Sequence, residues 1–328
     1  MATRFNRTTL GANDDGRRLD RVLRKALPNV PLSRIHRALR TREITVNGGR
    51  VRADTRVAEG DTLEIAETVT ASGIARSEES GSGRPTVDRS RPPRPSGPPL
   101  EQRVVHEDDD LLVVAKLRGE LTHGRASLED RVRAYLTGRL ASGVSYRPGP
   151  VHRLDRNTSG LVIFGVSLHG AQAATEALQS GAVTKRYVAL LDGEVTATTW
   201  HDTLERDRSA KTTIVRHRQT NEGRNAVTHV EPVASNGSTT VALVTIETGR
   251  THQIRAQAAH HGHPLTGDRK YGSAAPGPYY LHAASLTATS LSFSHVWSDL
   301  PGPFERRLRG FYDESVLAEV RARIRSAP

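Results

Sequence analysis

Val151-His152-Arg153-Leu154-Asp155-Arg156-Asn157-Thr158-Ser159-Gly160 runs directly into Leu161-Val162-Ile163-Phe164. Four consecutive large apolar residues, two of them β-branched, predict a buried strand. The polar decapeptide before them therefore sits at a strand end, where loops carry chemistry. Asp155 is the candidate within it. Arg153 and Arg156 flank it, and neighbouring cations favour the ionised form of a carboxylate. Such a group can act as base, nucleophile or anchor. Taken alone, it is also readable as a surface partner of its two arginines.

The chain around this stretch has 328 residues, room for two domains and a connector. Its formal charge of +11 points to a polyanionic partner, with nucleic acid, an anionic membrane surface and plain solubility as the three readings. There is no cysteine, which excludes disulfides, thiolate nucleophiles and thiolate metal sites and is compatible with a cytoplasmic protein. Residues 1–16 are polar, and no stretch reaches the ~18 apolar residues of a membrane span, so no targeting or anchoring segment is read.

Near the N-terminus, Leu19, Val22, Leu23, Ala26 and Leu27 fall on one helical face, and Pro28 ends the helix. A second helix follows, with Ser33 as N-cap and Ile35 and Leu39 inward. Arg34, Arg37 and Arg40, three apart, form a stripe on its other side. Ile44-Thr45-Val46 and Val51 flank Asn47-Gly48-Gly49 as a hairpin, and Leu63 and Ile65 suggest a closing strand. Residues 16–65 hold twelve Lys plus Arg against six Asp plus Glu, so 12 − 6 gives +6, about half the chain's excess. An arginine stripe usually means a solvated helix face. Its concentration in a small helix-helix-hairpin unit argues for RNA binding.

Residues 67–103 are rich in Ser, Gly, Arg and Pro without periodicity, and are expected to be a disordered linker. Residues 104–328 then form the second domain. Strands are expected at Val104-Val105, Leu111–Ala115, Leu161–Phe164, Val188–Leu191, Lys211–Ile214, Ala226–Thr228 and Val241–Ile246. Helices are expected at Asp130–Leu140, Gln172–Leu178 and Glu314–Ile324, the last as a solvated cover. The fold class is α+β, with a mixed, largely antiparallel sheet flanked by helices and loops. A second polar stretch, Gly249-Arg250-Thr251-His252-Gln253-Ile254-Arg255, reads as a helix start. Thr251 is its cap, and His252 and Arg255 share a face. His252, His260, His261 and His263 have no zinc-ligand spacing, so no metal is assigned.

His152-Arg153-Leu154-Asp155 with Thr158-Ser159-Gly160 resembles the catalytic motif of the RluA-type pseudouridine synthases. So do Lys185-Arg186-Tyr187, the stretch Gly249–Arg255 continuing to Gly262-His263-Pro264-Leu265, Gly267-Asp268 and Tyr271-Gly272, and Leu281-His282-Ala283. Residues 17–65 resemble the alpha-L RNA-binding module of the small-subunit ribosomal protein S-four type, in Leu19-Asp20-Arg21-Val22-Leu23 and Ile44-Thr45-Val46-Asn47-Gly48 among others. Leu117 stands where the family usually has proline after Lys116, and the stretch Leu286–Val296 looks lengthened.

The resemblance implies domains at 1–66 and 104–328 joined by 67–103. It also implies isomerisation of uridine in RNA, without a cofactor, because nothing is oxidised and no group is lost. Asp155 takes the position of the catalytic aspartate, as nucleophile or base, Tyr187 that of the active-site tyrosine, and Arg255 that of the arginine paired with the aspartate. Arg153 would fill the space of the flipped uridine, with Leu161, Val162 and Ile163 as the apolar wall. His152, Thr158, Arg250, His252 and Lys116 complete the substrate contacts, and Arg34, Arg37, Arg40 and Arg42 hold the RNA backbone. The arrangement is most like the large-subunit ribosomal RNA enzymes. A tRNA substrate, a non-catalytic RNA-binding assembly factor and a glycosidic hydrolase are the alternatives. The hydrolase would want a second carboxylate near the motif, and none stands out. A cytoplasmic monomer is the expectation.

Overall fold

The computed structural model describes residues 4–74, 97–137, 146–207, 209–216 and 223–327. They form two compact units, and each has its own core.

The N-terminal unit contains β1 (Phe5–Thr9), α1 (Leu19–Ala26), α2 (Leu32–Arg40), β2 (Ile44–Val46), β3 (Thr62–Ala66) and α3 (Glu67–Ile74). Leu19, Val22, Leu23, Ile35 and Leu39 close over the three-stranded sheet β1-β3-β2, as the helical spacing predicts. Four details differ from expectation. Pro31, not Ser33, caps α2, because proline's fixed φ suits the residue entering a helix. The residues after Asn47-Gly48-Gly49 do not return as a strand, and β2 pairs instead with β3. β1 is fully exposed and was invisible to a search for apolar alternation. The stretch expected as linker from residue 67 opens as helix α3, with Val69 buried in the core, and residues Leu100–Arg103 form a 3-10 turn. The rest of that stretch, 75–96, lies outside the described residues.

The second unit is built on one eleven-stranded sheet. Its elements are β4 (Val104–Glu107), β5 (Leu111–Lys116), α4 (Leu128–Leu136), β6 (Gly149–Pro150), β7 (Ser159–Gly165), α5 (Leu168–Gln179), β8 (Val183–Asp192), β9 (Thr198–Asp207), β10 (Thr212–Arg216), β11 (Arg224–Ser235), β12 (Thr239–Ile246), α6 (Gln253–His260), β13 (Leu281–Ala288), β14 (His295–Trp297), α7 (Gly302–Arg309) and α8 (Glu314–Arg325). The strand order is β10-β9-β11-β12-β8-β13-β7-β5-β4, with β14 on β13 and β6 on β7. Among these pairings only β7 with β13 is parallel, so the expected mixed, largely antiparallel sheet is found. β9 was not anticipated, since Trp200 and Leu204 are its only large apolar residues. The helix expected to reach Leu140 is described as α4, and residues 138–140 lie outside the description.

Period-two alternation along β8 divides the two faces of the sheet. Val188 and Leu190 meet Phe304, Leu308, Leu317, Val320 and Ile324 of α7 and α8. The C-terminal helix is therefore amphipathic and lays a buried stripe on the core, beyond a solvated cover. Lys185, Tyr187 and Ala189 look to the opposite face, where the polar motifs gather. Gly160 lets β13 approach. Its φ is +112°, and a Cβ there would lie 2.2 Å from the Ala283 carbonyl oxygen.

Candidate active site

Asp155 stands in a tight turn before β7. The Thr158 N–H donates to the Asp155 carbonyl (3.1 Å). Thr122 holds the residue before it, its hydroxyl donating to the Leu154 carbonyl (3.1 Å) and accepting from the Leu154 N–H (3.3 Å). Both ends of the carboxylate-bearing turn are thereby fixed.

Across the pocket α6 is pinned to the sheet by two glutamines four residues apart, which share a helix face. Gln253 donates to the Val227 carbonyl (3.0 Å), and Gln257 exchanges hydrogen bonds with Thr228 (2.6 Å) and Asp202 (2.7 Å). His252 and Arg255 are left to face Asp155: His252 Nε2 lies 3.6 Å and Arg255 Nη1 3.5 Å from Asp155 Oδ2. The expectation that these two side chains share a direction is met. The expected Thr251 cap is not. The residue before the helix is His252, in the left-handed region at φ 55°, and the Thr251 carbonyl instead accepts from the Thr213 hydroxyl (2.7 Å). A left-handed non-glycine residue costs energy that its neighbours must offset, and here it aims an imidazole at the carboxylate.

Arg255 is more heavily engaged than a simple partner of Asp155. Its Nε and Nη2 bind Asp268 at 2.6 and 2.9 Å, and its guanidinium lies 4.7 Å from the Tyr271 ring centre and 4.5 Å from that of Tyr279. Burial disfavours its charge, but Asp268, Tyr279 and Asp155 outweigh burial and raise its pKa. The Tyr271 hydroxyl in turn lies 2.8 Å from His252 Nδ1. Burial lowers the His252 pKa to about 4 against the pull of Asp155, leaving a neutral ring at neutral pH. Tyr187 closes the pocket from β8. Burial, and then the charge of Asp155, push its hydroxyl well above the ordinary tyrosine range, so it stays protonated.

Asp155, Tyr187, Arg255, Arg153, Thr158, Arg250 and His252 line one small pocket, with Leu154, Ile246, Ile254 and Leu281 as its apolar wall. A cleft of about 440 Å³ adjoins it and shares Arg153, Asp155, His252 and Arg255. Other expected contacts fall elsewhere. Leu161 and Ile163 point into the core beneath α5, so they do not form the wall; a strand buried on both faces gives no sign of which side faces the site. Lys116 is 1% exposed and donates to the carbonyls of Leu117 (3.0 Å), Glu120 (2.8 Å) and Arg156 (3.1 Å), so it ties loops together beneath the site. His152 accepts the Ile163 N–H on Nε2 (3.1 Å) and lines a different cleft. Among the described residues neither Arg153 nor Arg156 forms an ion pair with Asp155, and Arg156 donates to the Gly119 carbonyl (3.1 Å). Asp268, Tyr271 and Tyr279 had no assigned role in the sequence, although Asp268 and Tyr271 lay inside the second motif.

In the N-terminal unit Arg34 is half-buried and paired with Glu43, whereas Arg37, Arg40 and Arg42 are exposed. The stripe of basic residues available to a partner is thus Arg37, Arg40 and Arg42. Elsewhere, His261 bonds Asp202 (3.0 Å) and stacks on Trp200, and His263 bonds the Asp192 carbonyl (3.0 Å).

Comparison with known proteins shows the class of enzyme to which this fold belongs. Residues 110–260 match the RNA pseudouridylate synthase family, and residues 17–63 match the S4 domain. Ribosomal large subunit pseudouridine synthase D of Yersinia pestis is 30% identical over 275 residues, 80% of this chain and 75% of that protein. The uncharacterized RNA pseudouridine synthase YlyB of Bacillus subtilis (strain 168) is 27% identical over 88% of this chain and 89% of its own length. The solved structure of human RNA pseudouridylate synthase domain containing 4 shares the fold, with a TM-score of 0.56 at 21% identity over 64% of this chain and 93% of that one. The chain belongs to the RNA pseudouridine synthase family, with an S4 domain at its N-terminus. It is an isomerase that converts uridine in RNA to pseudouridine.

Proposed function

We propose that the protein isomerises uridines of large-subunit ribosomal RNA, with Asp155 as the catalytic carboxylate. The observation that carries the assignment is the convergence on Asp155 of Arg255 Nη1 and His252 Nε2, in a pocket that Tyr187 closes. The ribosomal substrate is supported by the S4 domain and by relatives named as large-subunit enzymes, such as ribosomal large subunit pseudouridine synthase C of Vibrio parahaemolyticus, 26% identical over 93% of both chains.

The reaction breaks the bond between ribose and uracil nitrogen, turns the base and rejoins it through carbon five. The target uridine first leaves its stack, at a cost of a few kcal/mol, and the exposed Arg153 at the mouth fills the vacated space. Asp155 then acts as nucleophile, or as the base that starts elimination through the ribose. Arg255 supplies the countercharge that makes a carboxylate tolerable in a largely dry pocket, and Asp268 keeps that cation in place. The protonated Tyr187 lies against the uracil, and Ile246, Ile254 and Leu281 provide the apolar surface on which the base turns. Neither a metal nor an organic cofactor has a part in these steps. Residues 1–66, extended by α3, serve as the RNA-binding domain, and residues 104–328, with the turn Leu100–Arg103 before them, as the catalytic domain, in a cytoplasmic monomer. Arg37, Arg40 and Arg42 add an electrostatic anchor to the RNA backbone.

The test is tritium release from large-subunit ribosomal RNA labelled at uracil carbon five, with Asp155→Asn and bulk tRNA alongside. Release from ribosomal RNA that vanishes in the variant is expected. Substantial release by D155N would overturn the role of Asp155, and release from tRNA alone would move the substrate to tRNA.

A further inference from the structure

Lys185, two residues before Tyr187 on the same face of β8, is 8% exposed. Among the described residues its ammonium has neither a hydrogen bond nor an ion pair, and only burial and Arg250 act on its pKa, both downward. The stem is buried while the ammonium, without a counter-ion among the described residues, opens to solvent, so its donors are available to a ligand. The side chain lines a cleft of about 380 Å³. A Cβ added to Gly249 would meet Lys185 Nζ at 3.9 Å, which places the amine against the Gly249-Arg250 loop.

Two further donors border the same cleft. Arg250 lines both this cleft and the Asp155 pocket, with its Nε on the Asn225 carbonyl (3.2 Å). His152 accepts the Ile163 N–H on Nε2, so its neutral ring carries its proton on Nδ1, a nitrogen with no partner among the described residues. Glu247 at the rim is engaged with His229 (2.8 Å) and is the one acidic residue lining the cleft. An ammonium, a guanidinium and an imidazole N–H converging without a carboxylate between them make an anion site.

We propose that this cleft binds a backbone phosphate of the RNA strand beside the target nucleotide, with Lys185 as its central ligand. The inference rests on the reading that the strand enters at Asp155. Alternate residues of a strand are about 7 Å apart, so a chain whose base sits against Tyr187 passes its next phosphate over Lys185. A phosphodiester is chosen over a carboxylate ligand because the cleft opens beside a polyanion's path and its one carboxylate, Glu247, is engaged with His229.

The experiment measures binding of ribosomal RNA and carbon-five tritium release across a salt series for wild type and Lys185→Met. Removing an unpaired charge from a buried stem does not endanger the fold, so the melting temperature of K185M is expected at or above that of wild type. The salt slope of log K is expected to fall by the value of one phosphate contact, ~0.7–0.9, and binding to weaken by about tenfold. A wild-type slope and affinity in K185M would overturn the proposal while wild-type turnover leaves the Asp155 reading intact. Absence of turnover in wild type would instead sink that reading. Inorganic phosphate is the second probe. If it raises the melting temperature of wild type but not of K185M, while the two RNA slopes coincide, the site takes a free anion and the RNA assignment fails.

Discussion

Arg255 is bound twice to Asp268, at 2.6 and 2.9 Å, and reaches Asp155 only at 3.5 Å. The arginine is thus held by one carboxylate and offered to another. Both members of the close pair are buried, Arg255 at 6% and Asp268 at 2% exposure, so breaking it strands a charge. Asp268→Asn is expected to destabilise the protein by about 3 kcal/mol. Freed from Asp268, Arg255 closes on Asp155 and quenches it, so turnover falls further than stability alone explains. Thermal melts beside single-turnover tritium release check this; a D268N protein with normal turnover below its melting temperature would refute it.

Buried neutral histidines make the fold sensitive to acid. Burial lowers the pKa of His282 to about 4, of His252 to about 4 and of His152 to about 3, against about 6.5 when unfolded. Between those values the unfolded chain holds more protons than the folded one, so stability rises with pH in that window and is lost as pH falls through it. His282, 1% exposed between Ser159 Oγ (2.9 Å) and the Ser298 carbonyl (3.1 Å), contributes about 3 kcal/mol of that loss. Urea titrations from pH 7 to pH 4 are expected to show a steep decline that flattens in His282→Gln.

Gly160→Ala is expected to be among the most damaging single-methyl changes in the chain. The added Cβ would clash with the Ala283 carbonyl at 2.2 Å, and the φ of +112° is one that L residues rarely adopt. Both the β7–β13 pairing and the turn holding Asp155 depend on that approach. A loss of more than about 3 kcal/mol, read by chemical denaturation, is the expected outcome. A wild-type midpoint would mean that β13 can retreat without cost.

The residues whose chemistry is local were the readable ones. Asp155 and Arg255 lie in dense motifs at element ends and Tyr187 within β8, and the structure brings all three to one pocket. Leu161 was misread because a strand buried on both faces carries no alternation to say which side faces the site. Lys116 was placed among the substrate contacts by the resemblance alone, whereas here it is buried and three carbonyls make that burial tolerable. β1 and β9 escaped for the opposite reason, since their hydrogen bonds define them and their side chains are largely polar. The support of Arg255 by Tyr271 and Tyr279 arises from tertiary approach alone, which no spacing encodes.

Tyr271 sets the proton position on His252, and through it the group that faces Asp155. The Tyr271 oxygen accepts the Thr213 N–H (2.9 Å), so its own proton is best used on His252 Nδ1 at 2.8 Å. The imidazole then carries its proton on Nε2, the atom 3.6 Å from Asp155 Oδ2. A slight closure on substrate binding turns that separation into a hydrogen bond to the carboxylate. Tyr271→Phe keeps the ring over Arg255 but frees the tautomer, which permits Nε2 to present a lone pair to Asp155 instead. Turnover at saturating RNA is expected to fall by roughly tenfold, as for a lost hydrogen bond of about 1.4 kcal/mol, with KM nearly unchanged. His252→Gln, which retains an N–H donor, should keep more activity than His252→Leu. Equal loss in both would mean that the ring fills space and that its proton does not matter.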